Sequence, residues 1–156
     1  MYHGERFNAY SHLAGSMLAV AALVLMTVKA NGPYQLASAL TYGICLILLY
    51  LGSTLYHSIP QPKIKAILQK VDHCMIYLLI AGSYTPFTLI PLKGSWGWSL
   101  FGVSWGLALF GIIQELTIGR KSEKRLLSMM IYVIMGWLIL VAVLTQIGRA
   151  SCRERV

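Results

Sequence analysis

AYSHLAGSMLAVAALVLMTV, residues 9–28, decides the fold. These twenty residues include no Asp, Glu, Lys or Arg. A helix of that length rises about 30 Å, the thickness of a bilayer's hydrocarbon core. Working outward, four more apolar blocks follow: Leu36–Tyr56, Met75–Ile90 (with Val71 as an alternative start), Trp96–Leu116 and Leu126–Leu144. In hydrocarbon every backbone N–H needs a partner, and a helix supplies its own. Strict two-residue alternation is absent, which argues against a β-barrel. The expectation is an all-α integral membrane bundle with five spans. No internal repeat is visible.

Composition agrees. Of 156 residues 57% are hydrophobic and 12% charged, about half the charged share of a soluble domain. The net charge of +8 would suggest nucleic acid in a soluble protein. Here the cations lie between apolar blocks, where they set orientation. Membrane lipids are the expected partners, and nucleic acid is not. Cys45 and Cys74 sit in or beside apolar segments and Cys152 in the tail, with no metal-site spacing, so they read as small buried residues. The first apolar block follows Met1–Asn8, which contains an acid, and is too long for a signal h-region, so it reads as a retained span.

The connections carry turn signals: Asn31-Gly32-Pro33, Pro60-Gln61-Pro62, Pro91 with Gly94, and Gly119 before the run Arg120–Arg125. Tyr34, Tyr84, Trp96 and Trp98 lie near span ends, where amphipathic rings favour the interface. Loop charge sets orientation. Arg6, then Lys63, Lys65 and Lys70, then Arg120, Lys121, Lys124 and Arg125 share one side, against Lys29 and Lys93 on the other. Eight cations against two place the N-terminus in the cytoplasm of a multi-pass cell-membrane protein.

Ionisable groups in spans are costly and mark candidate sites. Glu5, Asn8, Ser11 and His12 open span one, Ser53 and His57 close span two, and Asp72 and His73 open span three. The topology sets all of them at one depth, near the cytoplasmic surface. Ser53 and His57, four apart, share a helix face, as do Asn8 and His12. Asp72 could orient an imidazole or hold a water, which fits a metal site; histidine with an acid and a serine also fits hydrolysis. Each residue has a plainer reading. His12 can be hydrated at the interface, Ser53 can back-bond, and His57 can snorkel. Asp72 can cap a helix, and Glu5 can answer the positive end of helix one. Gln114 and Glu115 read as hydrated at the inner end of span four. Thr85-Pro86 reads as a kink or end of span three, and Met129-Met130 with Gly136 as helix packing.

Three segments resemble the hemolysin III family. GERFNAYSHLAG (Gly4–Gly15) is similar to its E-x-x-N-x-x-[ST]-H opening, GSTLYHSIP (Gly52–Pro60) to its S-x-x-x-H segment, and VDHCMIYLLIAGSYTPF (Val71–Phe87) to its D-H-x-x-I-Y block. The last is long and specific, whereas spans four and five agree only in general character. The family is related to progestin and adiponectin receptors and, more remotely, to alkaline ceramidases. The resemblance implies a seven-helix fold with a cytoplasmic N-terminus and a zinc site. It implies that His57 is one ligand and that two more histidines come from a late H-x-x-x-H. Asp72 would act through the metal-bound water, with Ser53 beside it.

This sequence departs from that pattern. Its histidines are His3, His12, His57 and His73, and none lies in a late H-x-x-x-H. The expectation is therefore a C-terminally truncated chain, residues 1–146, that binds zinc poorly and is inactive by itself. Ile147–Val156, IGRASCRERV, turns abruptly polar, sets cations on the wrong side and resembles a translated adapter sequence, so it reads as a non-native tail. For the complete protein, these functions stand open: a zinc-dependent hydrolase of lipid amides or esters, a membrane-homeostasis or sensor protein without turnover, cytolysis, and transport, although no span is broken at mid-depth by paired Gly/Pro signals.

Overall fold

A computed structural model describes residues 3–117 and 125–153. A short 3-10 turn, His3–Glu5, leads into α1 (Arg6–Val28), followed by α2 (Pro33–Ser58), α3 (Pro62–Leu89), α4 (Ser95–Thr117) and α5 (Arg125–Arg153). The described residues form no strand. The turn and charge readings at Gly119 and Arg120–Lys124 lie outside the described residues, as do the side chains of Arg125 and of the tail, Cys152 included.

Local chemistry sets the first turn. Lys29 N–H donates to Leu25 O to end α1, and the Asn31 N–H donates to Gln35 Oε1 across the turn at 2.8 Å. Gly32 has φ 96°, a conformation that a side chain strains. Pro33 then begins α2 at a position whose N–H would be unpaired anyway, and Pro62 does the same for α3.

Each helix packs against the next, and α5 also touches α3. The short connections make successive helices antiparallel. One end of the bundle therefore gathers the start of α1, the end of α2, the first half of α3, the end of α4 and the start of α5. The core is Tyr77, Ala81, Ala108, Ile131 and Met135, from α3, α4 and α5. Small residues let these helices approach closely. A Cβ on Gly111 would overlap the Tyr77 ring. The outer faces are apolar: Met17, Leu18 and Leu25 on α1 and Leu109, Phe110 and Ile113 on α4 are all more than half exposed. Such faces suit lipid and would be a liability in water.

α1, α2 and α4 are long and apolar enough to cross a membrane, and α5 has a shorter apolar stretch, Leu126–Leu138. α3 is more polar, with Lys63, Lys65, Lys70 and Asp72 towards one end and Ser83, Thr85 and Thr88 towards the other. Its 28 residues make a rod of about 42 Å, longer than the hydrocarbon is thick. Helical structure thus begins well before Met75 and takes in the three lysines read as loop.

Several local expectations are corrected. Pro86 does not end the helix: it lies inside α3, which continues to Leu89. Tyr84, near the end of α3, is packed inside the bundle: it is 3% exposed and its hydroxyl donates to the Met135 carbonyl. Met129 and Met130 face outward, and a Cβ on Gly136 would meet no neighbour among the described residues. Packing on α5 falls instead to Ile131 and Met135.

Candidate functional site

Two polar groups form at the end of the bundle defined above. The first joins α1, α2 and α3. Glu5 precedes α1 and makes no side-chain bond to its backbone. Its carboxylate reaches across to α3, where Lys65 Nζ donates to Oε2 at 2.6 Å. The same ammonium donates to the Tyr56 carbonyl at 3.0 Å and lies 4.5 Å from the centre of the Tyr56 ring. Lys65 thereby ties the end of α2 to the start of α1.

His57 sits in the last turn of α2, with Nδ1 4.0 Å from Glu5 Oε1. Its ring stacks on that of His12, centroids 5.8 Å apart. In both imidazoles Nδ1 is buried with no hydrogen-bond partner among the described residues. Buried polar atoms are nearly always paired, so two orphans side by side mark a place where a water, proton or ligand belongs. Ser53 lies one turn before His57 and is 5% exposed. The back-bond along this turn is made by Thr54, to Tyr50 O at 2.7 Å.

The other expected residues are placed differently. Asn8, one turn before His12 on α1, is exposed. Asp72 is half-buried in the middle of α3, ten residues after Pro62, so it caps no helix. Its neighbours Val71 and Met75 pack beside Gly52, which sets Asp72 on the flank of the turn that carries Ser53. Among the described residues it makes no hydrogen bond or ion pair.

His73 belongs to a second group. Its Nδ1 lies 2.9 Å from Glu115 Oε1 on α4. The hydroxyl of Ser128, on α5, lies 3.0 Å from both Glu115 Oε2 and Gln114 Oε1. Tyr132 donates to the His73 carbonyl, and Lys70 to the Leu116 carbonyl. Gln114 and Glu115, expected to be hydrated, are 2% and 5% exposed. They are buried because α5 folds over them. Lys65 and this three-helix network are what sequence reasoning missed. The available signal was an ionisable Glu115 inside an apolar segment.

Among the described residues, no three His, Cys, Asp or Glu side chains come together as metal ligands. A zinc site needs at least three protein ligands. His57 can offer one, with its unpaired nitrogen, but the described residues alone do not complete a zinc site.

Apolar-faced helices with ionisable groups gathered at one end define an integral, multi-pass membrane protein. The chain belongs to the Haemolysin-III related family, whose pattern matches residues 1–154. It is 45% identical over 142 residues to "Hemolysin-3" of Bacillus cereus, covering 89% of this chain and 64% of that protein. It is 43% identical over 142 residues to "Hemolysin-3 homolog" of Bacillus subtilis (strain 168), covering 89% and 66%. The chain thus spans just under two thirds of the length of these relatives. No solved structure matches it.

Proposed function

We propose that this chain is part of a membrane hydrolase that acts on lipid amides or esters at the cytoplasmic surface. The observation that supports this most is the pair of buried, unpartnered imidazole nitrogens on His12 and His57, held beside Glu5 and one turn from Ser53. In the complete protein His57 would be one zinc ligand, and the remaining ligands would come from outside the described residues. When bound, zinc supplies an activated water. Ser53 and Asp72 position water or the lipid linkage at the same end of the bundle, Glu5 holds His57 in place, and Lys65 anchors Glu5. His73 steadies the neighbouring helices through Glu115. The N-terminus faces the cytoplasm, as the eight-to-two loop charge indicates.

The test uses a full-length relative reconstituted in lipid vesicles, with cleavage products read by mass spectrometry. Metal-dependent turnover that is lost in His57→Ala and Asp72→Ala supports the proposal. Changes in cell lipid composition that survive both substitutions, with no turnover, would favour a homeostasis or sensor role. The name of the two relatives favours a further reading, lysis of target membranes. Haemoglobin release from erythrocytes by the purified protein, unaffected by His57→Ala, would select it.

A further inference from the structure

The opposite end of the bundle holds a cavity of about 360 Å³ between the end of α1, the start of α2 and the end of α3. That volume falls within the range of small-molecule sites. Leu25, Met26, Ala39, Pro86 and Ile90 make most of its wall apolar. Lys29, Gln35, Ser38 and Tyr42 interrupt the wall, and Gln35 Oε1 is already taken by the Asn31 N–H. Lys29 is exposed, and among the described residues its ammonium has no hydrogen bond or ion pair. Ser38 is 3% exposed, and among the described residues its hydroxyl has no hydrogen-bond partner.

Ser38 is the informative residue. A serine within a helix normally bonds the carbonyl one turn back. Ser16 does so to His12 O at 3.1 Å. Ser38 does not, and it keeps a donor inside an apolar wall, where an unmet hydroxyl is costly. A ligand that removes this cost brings an acceptor to Ser38, an apolar chain to the wall and an anion to Lys29.

We infer that the cavity binds one acyl chain of an anionic phospholipid from the surrounding bilayer. The ester carbonyl at the head of the chain accepts from the Ser38 hydroxyl, and the phosphate pairs with Lys29. A free fatty acid fits less well, because its one head group would have to serve both Ser38 and Lys29. The cavity lies at the far end of the bundle from His57, so this inference and the proposed hydrolysis stand or fall separately.

The test is native mass spectrometry of the purified chain, equilibrated with micelles containing phosphatidylglycerol, phosphatidylcholine or palmitate. The expected result is one retained phosphatidylglycerol per chain, favoured about fivefold over phosphatidylcholine, the effect of one interfacial lysine. Lys29→Gln, an exposed change that leaves the packing alone, removes the preference. Ser38→Leu, which fills the cavity, lowers retention of both phospholipids. Unchanged preference in Lys29→Gln overturns the assignment. So does palmitate displacing phosphatidylglycerol at equal concentration, or undiminished retention in Ser38→Leu.

Discussion

The contact between His73 and Glu115 joins α3 to α4 across 42 residues of sequence, and its energy can be measured. The perturbation is a double-mutant cycle: His73→Ala, Glu115→Ala and the pair together. A hydrogen bond to a charged group contributes about 1.5–3 kcal/mol. Interhelical hydrogen bonds in membrane proteins average about 0.6 and reach about 1.7 kcal/mol. Here the Glu115 side chain is 7% exposed but that of His73 is 31% exposed, so the freed imidazole recovers part of its loss from water. Ser128 limits the damage further, because it keeps Gln114 Oε1 when Glu115 is removed. The expected coupling is about 1–1.5 kcal/mol, which lies between the membrane average and the charge-assisted value. The assay is equilibrium unfolding in mixed micelles of mild detergent and SDS, followed by far-UV circular dichroism. Single-mutant effects that add within about 0.3 kcal/mol would refute the coupling, since independent sites behave that way.

Gly111→Leu should cost about 1–3 kcal/mol in the same assay, because the new side chain meets the buried Tyr77 ring. Gly102→Leu, at a glycine with no close neighbour, should change little. The purified chain should retain no stoichiometric zinc after dialysis, measured by elemental mass spectrometry. Tight zinc that disappears in His57→Ala would mean that ligands beyond the described residues complete a site. For orientation, Lys63→Cys should resist a membrane-impermeant maleimide added to intact cells, and Lys29→Cys should react. The reverse pattern would invert the topology.

Apolar block length alone determined that this chain is a bundle of helices with lipid-facing sides, because crossing about 30 Å of hydrocarbon leaves few alternatives to a helix. The alternation of spans also determined that Glu5, His12, Ser53 and His57 share one end, since antiparallel neighbours return the chain to the same side. Sequence spacing could not show which side chains meet there. Spacing alone sets Glu5 against the start of its own helix; in the fold it reaches Lys65 on α3, because α2 brings the two helix starts together. Asp72 and His73 are adjacent in sequence, yet successive residues point about 100° apart around a helix. One therefore flanks the Ser53 turn while the other turns to Glu115. Only the tertiary structure decided that Gln114 and Glu115 are buried beneath α5 and that Ser38 faces a cavity. Burial depends on what packs against a helix face, and an individual helix carries no record of its neighbours.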